Sequence, residues 1–213
     1  MLAIHTAGPA CDLALLQDEL VLGQECEAMV RGQDARLPDL VKTLLHRSAV
    51  SLSQIDRFAV VTGPGSFTGI RVGVAFARGL ALAGEKPCVG VTSMEAALPI
   101  GQQGSAIVAL PAQKRPPDIT FWTQTFRTGS ATGPAQETRL DELNTLLGDR
   151  PHMLYGPVLA LKAHFESGLI HDATPTALGA ARVAAQLDPV DRPAHPTYAR
   201  APDAALPQPK SGS

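Results

Sequence analysis

The sequence predicts a mixed α/β protein built in layers, and three observations carry that expectation. The 213-residue chain is 45% hydrophobic, enough apolar surface to close a core as one large domain or two small ones. Its N-terminal half alternates apolar runs of strand length with longer segments whose apolar residues recur at helical spacing. Beyond Gly101 the alternation restarts more weakly, so two unequal halves are expected.

Element by element, LAIHTA, CDLALLQ and ELVLGQECE read as three strands, with turn signals at Gly8-Pro9 and around Asp18. From Gln33 to Ala49, Leu37, Leu40, Val41, Leu44 and Leu45 fall on one helical face, and Pro38 lies near the helix start. FAVVT is a short buried strand. A glycine-rich turn, Gly63, Pro64, Gly65, Ser66 and Phe67, leads into a second helix that runs to about Leu82 and stops at Gly84. PCVGV is another strand, and Ser93 is expected to cap a short helix over MEAALPI. SAIVALPA and DITFWTQTF form a hairpin joined by Lys114 to Pro117; LDELNTLL is a helix, HMLYG a strand and TPTALGAARVAAQL a helix. Prolines at 189, 193, 196, 202, 207 and 209 forbid regular helix at the end, where an ordered return to Pro202 precedes a loose tail.

Charge and cysteine usage exclude several function classes. Eighteen basic against 20 acidic residues supply no net positive field for gathering nucleic acid. Cys11, Cys26 and Cys88 are odd in number, widely spaced and without a C-x-x-C pair, so they read as buried thiols of a reducing compartment, and the protein as cytoplasmic. The opening residues lack a basic leader, and no run of 18 apolar residues could span a bilayer.

Catalytic motifs are missing where they would be sought. From Gly63 the spacing puts Thr68 where a dinucleotide fingerprint needs glycine, and no P-loop lysine follows, which leaves at most a generic anion site at the helix start. Ser66 lacks the G-x-S-x-G context and suits a helix cap with Thr68. The six histidines form no metal-binding pair, and Glu95, Asp141 and Glu142 have no visible partner. His5 ends the first strand, where α/β enzymes often keep a ligand-binding group.

The second helix is the unusual element. Gly69, Gly73 and Gly79 together cost roughly 3 kcal/mol of helix propensity. Gly69, Gly73, Ala77 and Ala81 recur every four residues as a smooth ridge that another backbone could approach closely. Ile70, Val72, Val74, Phe76, Leu80 and Leu82 make the rest of the helix apolar, with Arg71 and Arg78 as its charges. Such a helix must be covered on more than one side, by its own domain or by a partner.

VTGPGSFTGIRVGVAFARGLALAGEKPCVGVTSMEA resembles the hallmark segment of the TsaB family, LAIHTAGPACDLALL its first hairpin and PTYARAPDA its C-terminal segment. The resemblance implies an actin/Hsp70/sugar-kinase-like, ribonuclease H-like fold of two lobes: residues 1–100 with the interface helices, a reduced lobe at 101–202, and a tail at 203–213. It implies a non-catalytic subunit that pairs through a helix bundle with TsaD, the transferase that places threonylcarbamoyl on N6 of adenosine 37 in tRNAs reading ANN codons, and that works with the ATPase TsaE. ATP would be used by the complex, with no cofactor or metal bound by this chain, and tRNA would be met only through the complex. The implied interface comprises Leu37, Leu40, Val41, Leu44, Thr68, Gly69, Ile70, Arg71, Gly73, Val74, Ala77, Arg78 and Ala81, and the same helices could pair two copies of the chain. Departures are His5 in place of the family's usual aspartate, Gln33 in place of a histidine, and Pro111-Ala112-Gln113 in place of Asp-Ala-Arg. Two other readings stand beside this one: a phosphotransferase or peptidase-like enzyme of the same fold, and a divergent homodimer without the heteromeric role.

Overall fold

The computed structural model describes residues 1–29, 32–113, 119–148, 153–165 and 170–197. The first lobe is a five-stranded sheet in the order β3-β2-β1-β4-β5. Strands β1 (Leu2–His5), β2 (Ala10–Gln17) and β3 (Leu20–Ala28) form an antiparallel meander, whereas β4 (Phe58–Val61) and β5 (Cys88–Val91) lie parallel to β1. Both β1 and β4 are buried along their whole length, as a sheet covered on both faces requires.

Helix α1 (Gln33–Arg47) buries Leu37, Leu40, Val41, Leu44 and Leu45 against this sheet and keeps Arg47 at its C-terminal end, where its charge suits the dipole. It continues through Pro38, deeper than the first turn where proline is free of penalty, because the buried stripe outweighs the missing bond. Helix α2 (Phe67–Ala83) forms the second crossover. Helix α3 (Ser93–Ala97) is capped by Thr92, not by the expected Ser93: Thr92 and Glu95 form a reciprocal capping box, while Ser93 Oγ donates to Pro64 O at 2.6 Å.

The second lobe repeats the plan around β6 (Ser105–Gln113). β7 (Thr120–Arg127) pairs with it antiparallel and carries β8 (Ser130–Ala131) and β9 (Gln136–Arg139) on its other edge; β10 (Met153–Gly156) and β11 (Ile170–Asp172) extend the sheet in parallel. The expected hairpin is therefore present, although its Lys114–Pro117 connection lies outside the described residues. Helices α4 (Leu140–Leu147) and α5 (Val158–Leu161) place Leu143 and Leu161 among Ile107, Phe121 and Leu154. On the opposite face Met94 and Leu98 of the α3 segment join Val108, Phe126 and Tyr155. The short elements β8, β9, α5 and β11 are absent from the sequence reading, because two to four residues carry too little periodicity to register.

Helix α6 (Ala177–Ala184) leaves the second sheet and packs on β1, β2, β4 and β5 of the first. Its contact side is all alanine, Ala177, Ala180, Ala181 and Ala184, which lets it lie close. Asp12 accepts the Ala177 N–H at 2.7 Å, Thr176 Oγ1 accepts the Gly179 N–H, and the Arg57 guanidinium donates to Ala184 O at 3.0 Å, so both helix ends are satisfied from the chain itself. The chain then returns along the sheet edge: Gly90 N–H donates to Arg192 O, Arg192 pairs with Glu95, and Thr197 N–H donates to Thr62 O at 2.8 Å. The rest of that return and the tail lie outside the described residues.

Of the three thiols expected to be buried, only Cys11 is fully so; Cys88 is half-buried, and Cys26 is exposed because β3 is the edge strand.

Candidate interaction surface

The glycine-rich turn is tied to its own chain. Ser66 N–H donates to Ala7 O at 2.8 Å, Ser93 N–H to Gly63 O at 2.8 Å, and Ser66 Oγ caps α2 by accepting the Gly69 N–H at 3.2 Å. Gly63 has φ 109°, a conformation that favours glycine, and a side chain there would land 2.7 Å from Thr197 O. Ser66 is thus the cap that the sequence suggests, and the turn locks α2 onto the ends of β1 and β4.

The ridge on α2 faces inward, which corrects its reading as the contact with a partner. A Cβ on Gly69 would sit 2.0 Å from Thr6 O, and one on Gly73 2.2 Å from Thr6 Oγ1, while the Thr6 hydroxyl donates to Gly69 O at 2.7 Å. Ile70, Val74, Ala77 and Ala81 are buried beside them, and Leu37, Leu40, Val41 and Leu44 lie in the same core. The group that comes so close is the chain's own Thr6, one residue past β1: its backbone carbonyl at Gly69 and its side-chain hydroxyl at Gly73. Within this chain those residues are spent on folding, and none of them offers surface to a partner.

What α2 leaves open is its other face. Thr68, Ala75 and Gly79 are exposed, Leu82 is 82% exposed, and Val72 is half-buried. Their spacings, four, three, four and three, are those of a coiled-coil seam, which keeps one stripe of a helix facing a second helix. Arg71 and Arg78 flank this seam on one side and are exposed; Arg71 lies over the Phe67 ring at 3.8 Å from its centroid. Gly79 is decisive because none of the described residues lies within 4 Å of the Cβ it lacks. Its cost of about 1 kcal/mol has no return among the described residues, unlike that of Gly69 and Gly73. The seam could have been found in the sequence by testing for a 4-3 repeat besides the strict four-residue one.

His5 does not lie on this face. It is 6% exposed at the end of β1, opposite Asp12 in the register, and its Nδ1 has no hydrogen-bond partner among the described residues. Burial lowers its pKa to about 4, so the ring is neutral at physiological pH, and the same burial raises the Asp12 carboxyl. Gln33 is buried with its side-chain amide toward Met29 O, and Pro111 pairs opposite Phe121 within the second sheet. Among the described residues, no three His, Cys, Asp or Glu side chains converge as a metal site would require, and no helix is long and apolar enough to cross a membrane.

Two sheets of matching strand order, bridged by a helix that returns to the first, define a protein of the actin and sugar-kinase class of two-lobe α/β folds. A solved protein from Pseudomonas aeruginosa, described as uncharacterized with similarity to the peptidase YeaZ, shares the fold with a TM-score of 0.73 at 22% identity, over 93% of this chain and 98% of that one. Residues 27–113 match the family model described as TsaD, tRNA N6-adenosine threonylcarbamoyltransferase. The Escherichia coli tRNA threonylcarbamoyladenosine biosynthesis protein TsaB is 33% identical over 157 residues, 73% of this chain and 68% of its own length. An uncharacterized protein of Mycobacterium bovis is 30% identical over 96% of this chain and 93% of its own. The chain belongs to the TsaB family.

Proposed function

We propose that this chain acts in the biosynthesis of tRNA threonylcarbamoyladenosine as a non-catalytic subunit that docks TsaD along the exposed seam of α2. Membership of the TsaB family supports the pathway, and one observation carries the docking: Gly79 stands in an exposed apolar stripe where none of the described residues lies within 4 Å of the Cβ it lacks. A second helix laid along Thr68, Val72, Ala75, Gly79 and Leu82 would use that space and come close enough for backbone contact. In this reading the transfer of the threonylcarbamoyl group belongs to TsaD, ATP is used by TsaE and the assembled complex, and tRNA reaches this chain only through its partners in the cytoplasm.

The test is co-purification with TsaD of the same organism, followed by size-exclusion chromatography with light scattering. A heteromer is expected with the native chain. Gly79→Leu is expected to abolish it while leaving the isolated fold intact, since the new side chain enters open space. A normal heteromer formed by Gly79→Leu would remove the seam from the interface.

A further inference from the structure

Two stretches of chain join the lobes, one from α3 to β6 and the other from β11 to α6, and both border a cleft of about 240 Å3. Its walls divide by chemistry. Leu98, Ile100 and Leu178 make an aliphatic side, and Ile100 is 49% exposed there. Asp172, from the end of β11, and Arg182, from the last turn of α6, add one exposed charge of each sign. Neither forms an ion pair with the other or with any other described residue. The Asp172 carboxylate is nevertheless held in place, because its Oδ1 accepts the Val158 N–H at 3.1 Å, and Oδ2 has no partner among the described residues. Opposite charges that line one cleft without meeting leave a gap that a ligand carrying both charges can span.

We propose that this cleft binds a small zwitterion with an aliphatic body, an amino acid by chemical class, its carboxylate on the Arg182 guanidinium and its ammonium group on the Asp172 carboxylate. The planar fork of an arginine suits a carboxylate, which can accept two parallel hydrogen bonds from it. Leu98, Ile100 and Leu178 then cover the aliphatic part. Size agrees: a cavity of about 150 Å3 holds benzene, with six heavy atoms, so one of about 240 Å3 takes roughly nine or ten. A nucleotide is too large, and Asp172 would repel its phosphates. A purely apolar ligand would strip water from both charges and return nothing to them. A metal ion lacks its ligands, since no three suitable side chains converge among the described residues. Because the cleft borders both links between the lobes, an occupant ties the two links together and stabilises the folded chain by mass action.

The experiment titrates the full chain at neutral pH with four probes, followed by amide chemical shifts. L-Leucine and its isomer 6-aminohexanoate carry the same atoms with their charges close together or far apart, while 4-methylpentanoate and 3-methylbutylamine each lack one charge. At least one of the two zwitterions is expected to saturate, with a Kd on the order of millimolar for so small a ligand, and to raise the thermal midpoint. Whichever isomer binds reports the spacing of the two charges. Each single-charge probe is expected to bind about tenfold more weakly or worse, because one charge of the cleft then stays unpaired. Arg182→Gln and Asp172→Asn are expected to cost about tenfold or more in affinity, whereas Arg182→Lys, which keeps the charge, stays within about threefold. All three substitutions lie at exposed positions, and Asp172→Asn keeps an oxygen for the Val158 N–H, so the free variants are expected to melt close to the native chain. Failure of both zwitterions to saturate by about 50 mM overturns the proposal, since a Kd on the order of millimolar would show well below that. Equal binding by 4-methylpentanoate, or native affinity in both Arg182→Gln and Asp172→Asn, overturns it as well.

Discussion

The two lobes share one strand plan and differ in what crosses over it. In each, a central strand has an antiparallel neighbour on one side and two parallel strands on the other: β1 between β2 and β4-β5, β6 between β7 and β10-β11. The crossover from β4 to β5 is α2, of 17 residues, whereas the crossover from β10 to β11 contains α5, of 4 residues. Strand pairing tolerates either, because it needs only that the chain return in register. A docking face needs length. Helix α2 runs for roughly 25 Å and can offer several turns of seam, and a single turn such as α5 can offer none.

The largest effect that would break this comparison is expected from Gly73→Leu. Its Cβ alone would meet Thr6 Oγ1 at 2.2 Å, and the rest of the leucine side chain must enter the buried space beside Thr6 and Val60, so the Thr6 hydroxyl loses its bond to Gly69 O or α2 lifts from the sheet. A loss of about 3 kcal/mol or more in urea denaturation is expected. Stability within 1 kcal/mol of native, by that same measure, would mean that α2 does not rest on β1.

Next in size is the pH response of the first lobe. The folded-state pKa of His5 is lowered from 6.5 to about 4, so between these values the unfolded chain binds the proton that the folded chain refuses. Stability is therefore full above about pH 6.5 and falls as pH drops toward 4, by on the order of 3 kcal/mol. Asp12 works in the opposite sense and at lower pH: its folded carboxyl is raised above 3.8 by burial, which favours the folded state as that carboxyl takes up its proton. Denaturation at a series of pH values between 7 and 5 isolates the His5 contribution, and His5→Gln is expected to flatten the curve whatever its absolute stability. An unchanged slope in that variant would assign the pH response elsewhere.

The smallest effect has the opposite sign and separates the two faces of α2. Gly79→Ala adds a methyl group where none of the described residues lies within 4 Å, so the isolated chain is expected to gain up to about 1 kcal/mol from helix propensity alone. Thermal denaturation would show it. A loss of stability comparable to that of Gly73→Leu would erase the distinction between the two glycines.

Much of the fold was legible because it is written in local patterns. The stripe Leu37, Leu40, Val41, Leu44 announces α1, and the uninterrupted apolar runs at β1 and β4 announce strands buried on both faces. The cap of α3 is ambiguous by one residue in the sequence because Thr92 and Ser93 are both competent caps, and only the reach of Glu95 back to the Thr92 N–H selects between them. The short elements of the second lobe and the return of α6 to the first sheet rest on pairings between distant residues, such as Asp12 with Ala177 and Arg57 with Ala184. No local pattern contains them.

The sequence by itself determined that α2 is a helix, that it is apolar nearly all round and that its glycines demand close approach; it contains both repeats, the strict four-residue ridge and the 4-3 seam. Only the tertiary structure decided which repeat is used inside. That choice depends on Thr6, which lies 63 residues before Gly69 in the chain and meets it only because β1 pairs with β4. Helical periodicity is a property of neighbouring residues and can mark both faces, but a face becomes interior only when a distant strand closes over it.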